Sequence, residues 1–183
     1  MSLVSNLFLL FVAASVLVYY IVPHKFQWLV LLCFSYIYYL AGGVRYVGFL
    51  LFSTLVTWLI ALAVEKTEAK GSHKGARNLL VLGLLLNFGM LGVVKYTNFA
   101  IENLNALFHM NLRGMEILLP LGISFYTFQS SGYLLDVYWK RCEAEKNPVK
   151  YALFVSFFPQ ILQGPIGRYS RLAHQLYEPH KFE

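Results

Sequence analysis

Charged residues are scarce in this chain: they make up 13% of its 183 residues, whereas 58% are hydrophobic. Soluble globular domains carry roughly 25% charged residues, so this sequence has too few to cover a surface that faces water. Aromatic residues are in excess at 17%, and tyrosine and tryptophan suit the headgroup level of a bilayer. The shortage of charge therefore argues against a soluble protein and predicts an integral membrane protein.

Cysteine is also rare. Cys33 lies in an apolar run and Cys142 in a charged loop, so the two are expected at different depths of the membrane. A disulfide requires Cα atoms within about 7 Å, and two free thiols are therefore predicted.

The net charge of +6 comes from basic residues scattered through short loops without a continuous stripe, which argues against nucleic-acid binding.

The motifs of most metal, nucleotide and hydrolase sites are missing. The sequence contains no CxxC or HExxH pair, no GxxxxGK[ST] or GxGxxG loop, and no complete GxSxG elbow. None of the five histidines lies in an apolar run beside a partner carboxylate or amide, as a general base would. The sequence predicts neither a bound metal nor a bound cofactor, and it holds no complete catalytic constellation.

Long apolar runs fill most of the chain. Because a spanning helix needs about 20 mainly apolar residues, they predict an all-α, multi-pass bundle of about five spanning helices within one membrane domain, residues 1–183. Between them, Glu65–Arg77 is predicted as a polar loop, and Lys95–Glu116 as an interfacial helix or a folded loop. The predicted spans are Leu3–Val22, Phe26–Ala41, Tyr46–Val64, Leu79–Val94 and Ile117–Tyr138.

The last apolar run, Tyr151–Ile166, carries Pro159 in its middle and is closed by Gly164 and Pro165. An interior proline removes a backbone donor and clashes with the carbonyl four residues earlier, here that of Val155. Broken backbone at membrane depth survives only where protein or a wet cavity satisfies it, and Gln160 and Gln163 are placed to do part of this. The run is interpreted as a re-entrant or broken helix, with a kinked ordinary span as the alternative.

The distribution of Lys and Arg predicts the orientation, because cytoplasmic loops carry the excess. With the N-terminus outside and the last run re-entrant, twelve Lys and Arg residues lie inside and three, at positions 45, 95 and 113, lie outside. A full crossing by the last run would move Arg168, Arg171 and Lys181 to the outside. The count favours an outside N-terminus and a re-entrant turn.

Polar residues of the fifth predicted span share one helix face, because they are spaced four and three residues apart. Such a face points to a bundle interior or a water-filled path, and is a functional candidate. Two plainer interpretations remain open: close helix packing, or Asp136 paired with Lys140 at the membrane interface. The residues are Gly122, Tyr126, Gln129, Tyr133, Asp136 and Lys140.

The motifs GISFYTFQ, FFPQ and QGPIGR, with Asp136 between the first two, lie within residues 117–172. This combination resembles the membrane-bound O-acyltransferase family, and is most similar to its bacterial alginate and polysaccharide O-acetylating branch. The first hundred residues match that family only in hydropathy and spacing. The resemblance places the chain in the bacterial inner membrane, as the N-terminal part of a longer fold.

The resemblance implies transfer of an acyl group, with acetyl expected, to a hydroxyl of an exported polysaccharide. The acyl donor, a thioester or an acyl carrier on the cytoplasmic side, would be a substrate, and the partners would be membrane lipid and polysaccharide-modification proteins. The family's catalytic histidine is expected beyond residue 183. Residues of this chain would then line or support a passage: Tyr126, Gln129, Tyr133, Asp136, Pro159, Gln160, Gln163, Gly164, Pro165 and Arg168.

Two other functions remain open on the sequence. A glycan or lipid transporter also uses broken helices and polar groups near the midplane of the membrane, although no inverted repeat is visible here. A non-catalytic membrane scaffold of an exopolysaccharide machine is the second alternative.

Overall fold

A computed structural model describes residues 6–108, 113–114, 122–163 and 167–178. The described residues form helices and connecting turns and no strand, which confirms the all-α prediction. A 3₁₀ turn, His24–Phe26, precedes the second helix. The helices are α1 Asn6–Ile21, α2 Gln27–Gly42, α3 Val44–Ala69, α4 His73–Phe108, α5 Ile123–Tyr138, α6 Pro148–Ser156, α7 Phe158–Gln163 and α8 Tyr169–Tyr177.

Helices α3, α4 and α5 pack against one another and form the centre of the bundle. Gly83 of α4 allows the close approach, because a Cβ there would lie 2.7 Å from Leu134 Cδ1 of α5. Asn87 fixes the register between α4 and α3. Its side-chain amide donates to Thr57 Oγ1 at 2.9 Å, and its carbonyl oxygen accepts from Ser53 Oγ at 2.9 Å. All three polar side chains of this network are buried, and the described structure satisfies their hydrogen bonds with one another and with backbone carbonyls.

Two helices, α3 with 26 residues and α4 with 36, are long and apolar enough to cross a membrane by length and composition. Helix α1 is apolar but shorter, at 16 residues. A helix of 16 residues rises about 24 Å, which is less than the roughly 30 Å of a hydrocarbon core. The number of about five spans therefore stays a prediction.

The predicted loop Glu65–Arg77 is largely wrong. Helix α3 continues to Ala69 and α4 begins at His73, so only a short turn around Gly71, with φ +77°, separates them. The charged residues of this segment are good helix formers. Their polarity keeps them out of lipid but does not prevent them from being helical.

The described part of the segment Lys95–Glu116 also differs from the prediction. Residues 95–108 continue α4 without interruption, and form no separate interfacial helix or folded loop. No proline interrupts this stretch, so nothing in the backbone forces α4 to end where the polar residues begin.

The interruption predicted in the last apolar run is present, but it lies at Phe157. Helix α6 ends at Ser156, Phe157 adopts an extended conformation with ψ 103°, and α7 begins at Phe158. Pro159 is the second residue of α7, where a backbone N–H would have no partner within the helix. The expected clash with the carbonyl of Val155 is avoided because the chain has already turned.

The segment between Asn147 and Tyr169 begins and ends at the same end of the bundle. Tyr169 donates to the carboxylate of Glu145 at 2.5 Å, and Tyr177 donates to the carbonyl of Lys150 at 2.7 Å. The junction between α3 and α4 lies at this end too, since Lys140 Nζ is 3.4 Å from Glu68 Oε1. The basic segments around residues 66–77, 140–150 and 168–171 are therefore gathered at one end.

Candidate functional site

Four residues of α5, which we call the α5 polar face, are buried in the bundle: Tyr126, Gln129, Tyr133 and Asp136. The spacing of three, four and three residues therefore places them on one face, as predicted. Lys140 does not continue this face. It lies after the helix, has a positive φ of 57°, and is exposed.

Gln129, at the centre of the α5 polar face, stabilises the break between α6 and α7. Gln129 Nε2 donates to the carbonyl of Phe154 at 3.0 Å. This is one of the last carbonyls of α6, for which the helix itself supplies no N–H donor. On the other side of the break, the backbone N–H of Phe158 donates to Ser35 Oγ of α2 at 3.3 Å. Sequence analysis assigned this task to Gln160 and Gln163 and missed both Gln129 and Ser35.

Gln160 of α7 joins the same cluster. Its side-chain oxygen accepts from Gln129 Nε2 at 3.3 Å. Its amide nitrogen lies 2.4 Å from the position that a Cβ of Gly167 would occupy. The second glycine of QGPIGR is therefore needed because the Gln160 amide packs directly on its backbone.

Gly122, at the start of GISFYTFQ, has a comparable role at the N-terminus of α5. It adopts the left-handed conformation with φ +71°, which disfavours any residue with a side chain. A Cβ there would lie 2.3 Å from Ile161 Cγ2 of α7. The glycine thus lets α7 pack against the first turn of α5.

Glu145 holds the end of the α5 polar face that lies near the basic segments. The Tyr133 hydroxyl accepts from the backbone N–H of Glu145 at 2.8 Å, and Trp58 Nε1 donates to the carbonyl of Glu145 at 2.7 Å. The Tyr133 ring also packs between those of Tyr151 and Tyr169, with centroid distances of 4.7 and 4.8 Å. Glu145 therefore connects α3, α5 and α8, and no pattern in the sequence pointed to this residue.

Asp136 pairs with Arg141 at 3.5 Å. The alternative in which Asp136 pairs with Lys140 is wrong, because Lys140 pairs with Glu68 at 3.4 Å. Burial, together with the carboxylates of Asp136 and Glu65, raises the pKa of the nearby Cys142 thiol to about 11. Cys142 and Cys33 are both free, as predicted.

Several buried polar atoms around the α5 polar face have no hydrogen-bond partner among the described residues. Unpaired buried polar atoms cost about 1–3 kcal/mol each, so such a group calls for water or for polar atoms of a ligand. None of them forms a hydrogen bond with a histidine or a cysteine of the described chain. These atoms are the hydroxyls of Tyr126, Thr127, Ser131 and Ser156, and Gln129 Oε1.

The other predicted site residues are placed unequally. Arg168 is exposed at the start of α8, and Pro159 is exposed on α7. Gln163 ends α7, but its side chain lies outside the description, and Gly164 and Pro165 lie outside the described residues. Within the described chain, no group of three His, Cys, Asp or Glu residues is arranged to hold a metal ion.

Curated proteins match most of the chain. It is 35% identical over 178 residues to the probable alginate O-acetylase of Azotobacter vinelandii, covering 93% of this chain and 35% of that protein. It is 33% identical over 172 residues to the peptidoglycan O-acetyltransferase of Helicobacter pylori, covering 81% of this chain and 32% of that protein. A teichoic acid D-alanyltransferase of Lacticaseibacillus rhamnosus is 28% identical over 131 residues, covering 72% of this chain and 28% of that protein.

The chain spans about a third of the length of these relatives. No family model matches it, and no solved structure gives a significant match. The alginate O-acetylase and peptidoglycan O-acetyltransferase relatives are 35% and 33% identical to the chain over most of its length. On this similarity the chain is a membrane protein that belongs to the membrane-bound O-acyltransferase family.

Proposed function

We propose that this chain is part of an O-acyltransferase that moves an acyl group, in particular acetyl, onto a hydroxyl of an exported polysaccharide. The observation that carries the proposal is the match over 93% of the chain to a probable alginate O-acetylase. The buried α5 polar face supports it, since acyl transfer between two compartments requires polar groups inside the bilayer.

In this proposal the α5 polar face lines or supports the passage and performs no bond chemistry. Tyr126, Gln129 and Tyr133 supply buried polar groups, and Gln160 holds Gln129 in place. Asp136 lies at the end of the face near the basic segments, where it pairs with Arg141. Pro159, Gln163, Gly164, Pro165 and Arg168 are further candidates for supporting the passage.

The bond chemistry would be direct acyl transfer. The acceptor hydroxyl oxygen attacks the acyl carbonyl carbon, a histidine beyond residue 183 accepts the hydroxyl proton as general base, and the thioester C–S bond breaks. The proton and the sulfur leave together as the thiol. The donor, an acyl thioester or an acyl carrier, is consumed as a substrate, and it is not a bound cofactor.

The proposed topology has the N-terminus outside the bacterial inner membrane, about five spans, and a re-entrant segment formed by α6 and α7. Its main support is that Asn147 and Tyr169 lie at the same end of the bundle, near Glu145. The basic segments share this end, and the positive-inside rule assigns such an end to the cytoplasm. There Lys140, Arg141, Arg168 and Arg171 would attract an anionic donor or anionic lipid, and polysaccharide-modification proteins would complete the system.

The test uses a strain lacking the full-length gene. Loss of an acetyltransferase leaves surface polysaccharide made in normal amount but without acetyl groups, whereas loss of a transporter reduces the amount of polymer. We expect complementation by the wild-type gene to restore acetylation, and Gln129→Leu to fail, because it leaves the carbonyl of Phe154 without a donor. A deletion strain that makes less polymer of normal acetyl content would contradict the proposal.

A further inference from the structure

We propose that the N-terminus of α5, with the hydroxyls of Tyr39 and Tyr126, forms a binding site for a carboxylate group. The site is separate from the hydrogen bonds by which Gln129 repairs the broken helix. It is defined by geometry, goes beyond the proposed function, and does not rest on it.

The first turn of α5 has backbone N–H donors that find no acceptor within the helix. The first N–H with a partner inside the helix is that of Tyr126, which donates to the carbonyl of Gly122 at 3.0 Å. The N–H groups of Ile123, Ser124 and Phe125 precede it and have no acceptor within the helix. Gly122 provides no side-chain cap, and the first turn contains no acidic residue. The positive end of a 16-residue helix therefore lacks a compensating negative charge on its own helix.

Two buried phenols lie beside this helix end. Tyr39 of α2 is 1% exposed, and its hydroxyl lies 3.8 Å from the position that a Cβ of Gly122 would occupy. Tyr126, one turn into α5, is fully buried. Neither hydroxyl has a hydrogen-bond partner in the part of the chain that the structure describes.

The site is shielded from water, because both phenols are buried and Ile161 of α7 packs against Gly122. In such surroundings an unpaired donor is costly and a completed hydrogen bond is strong. Two hydroxyls and a set of backbone N–H groups can all donate, and an ionised carboxylate is an acceptor only. A helix N-terminus also favours negative charge. A carboxylate therefore matches both the donors and the charge of this site.

Two sources can supply such a carboxylate: a small acid such as acetate, or a uronic-acid residue of a polysaccharide. The test uses the full-length protein in lipid nanodiscs at pH 7, titrated with [1-¹³C]acetate, with an oligouronate, and with a neutral hexose oligomer of equal length. Binding is followed by ¹³C line broadening for acetate and by calorimetry for the oligomers. Tyr39→Phe and Tyr126→Phe keep the ring and remove only the hydroxyl, and Tyr96→Phe, at an exposed tyrosine, is the matched control.

We expect saturable binding of at least one carboxylate ligand, weakened tenfold or more by Tyr39→Phe and by Tyr126→Phe and unchanged by Tyr96→Phe. Acetate binding alone identifies a closed site for a small acid, and oligouronate binding identifies a site open to the polymer. Without ligand, both buried variants should melt at or above the wild-type temperature, because each removes an unpaired hydroxyl. The proposal is overturned if neither carboxylate binds, if the two buried variants bind like the wild type, or if the neutral oligomer binds as tightly as the oligouronate.

Discussion

Replacing Gly122 with alanine perturbs the contact between α5 and α7 at one atom. Alanine in the left-handed conformation costs about 1–2 kcal/mol. Its Cβ would lie 2.3 Å from Ile161 Cγ2, and an overpacked contact of this kind costs a further 1–3 kcal/mol or so. We therefore expect Gly122→Ala to lower the free energy of unfolding of the full-length protein by about 2–5 kcal/mol, as measured by denaturant titration in mixed micelles.

The two contributions can be separated. In an Ile161→Ala background the methyl group that clashes is gone, so Gly122→Ala should cost only the backbone part, about 1–2 kcal/mol. Gly132→Ala is the matched control, because Gly132 lies inside α5 with open space around it, and alanine there should stabilise the helix by about 0.5–1 kcal/mol. The packing argument would be refuted if Gly122→Ala lowered the free energy of unfolding equally in the wild-type and Ile161→Ala backgrounds. It would also be refuted if Gly122→Ala were no more destabilising than Gly132→Ala.

Two further predictions concern Gly167 and Cys142. Gly167→Ala should displace the Gln160 amide, which lies 2.4 Å from the new Cβ, and destabilise the protein by about 1 kcal/mol. The control Gly48→Ala, in open space on α3, should not destabilise it. Equal unfolding midpoints of the two variants would contradict this prediction. Because burial raises the pKa of Cys142 to about 11, its alkylation in open membranes should keep rising tenfold per pH unit between pH 8 and 10. A cysteine at exposed Glu143, with Cys142 replaced by Ser, should level off near pH 9, and levelling of Cys142 at the same pH would show an ordinary thiol.

The α5 polar face could be predicted from the sequence because its signal is local. Polar residues four and three positions apart in an apolar run fall on one helix face, and Tyr126, Gln129, Tyr133 and Asp136 are buried together. The interrupted helix was also predictable, since proline rarely lies inside a helix. The place of the break was not, because one residue of extended backbone at Phe157 lets Pro159 start a new helix.

The partners of the polar face could not be predicted, because they come from distant parts of the chain. Ser35 lies 123 residues before Phe158, as one serine in an apolar helix. Glu145 lies in a loop rich in charge, where nothing distinguishes it from Glu143. The helix at Glu65 and Glu68 could not be predicted from hydropathy, because hydropathy shows which residues avoid lipid and carries no information on whether they are helical.

The central claim is that the chain enters the bundle after Asn147 and returns to the same side by Tyr169. Single cysteines at exposed Lys146, Ser170 and Val44, in a full-length protein without Cys33 and Cys142, test it with a membrane-impermeant maleimide. In intact cells we expect labelling at position 44 only, with positions 146 and 170 labelled after the membrane is permeabilised. Labelling of position 170 but not 146 in intact cells would mean that the segment crosses the membrane, and would contradict the account.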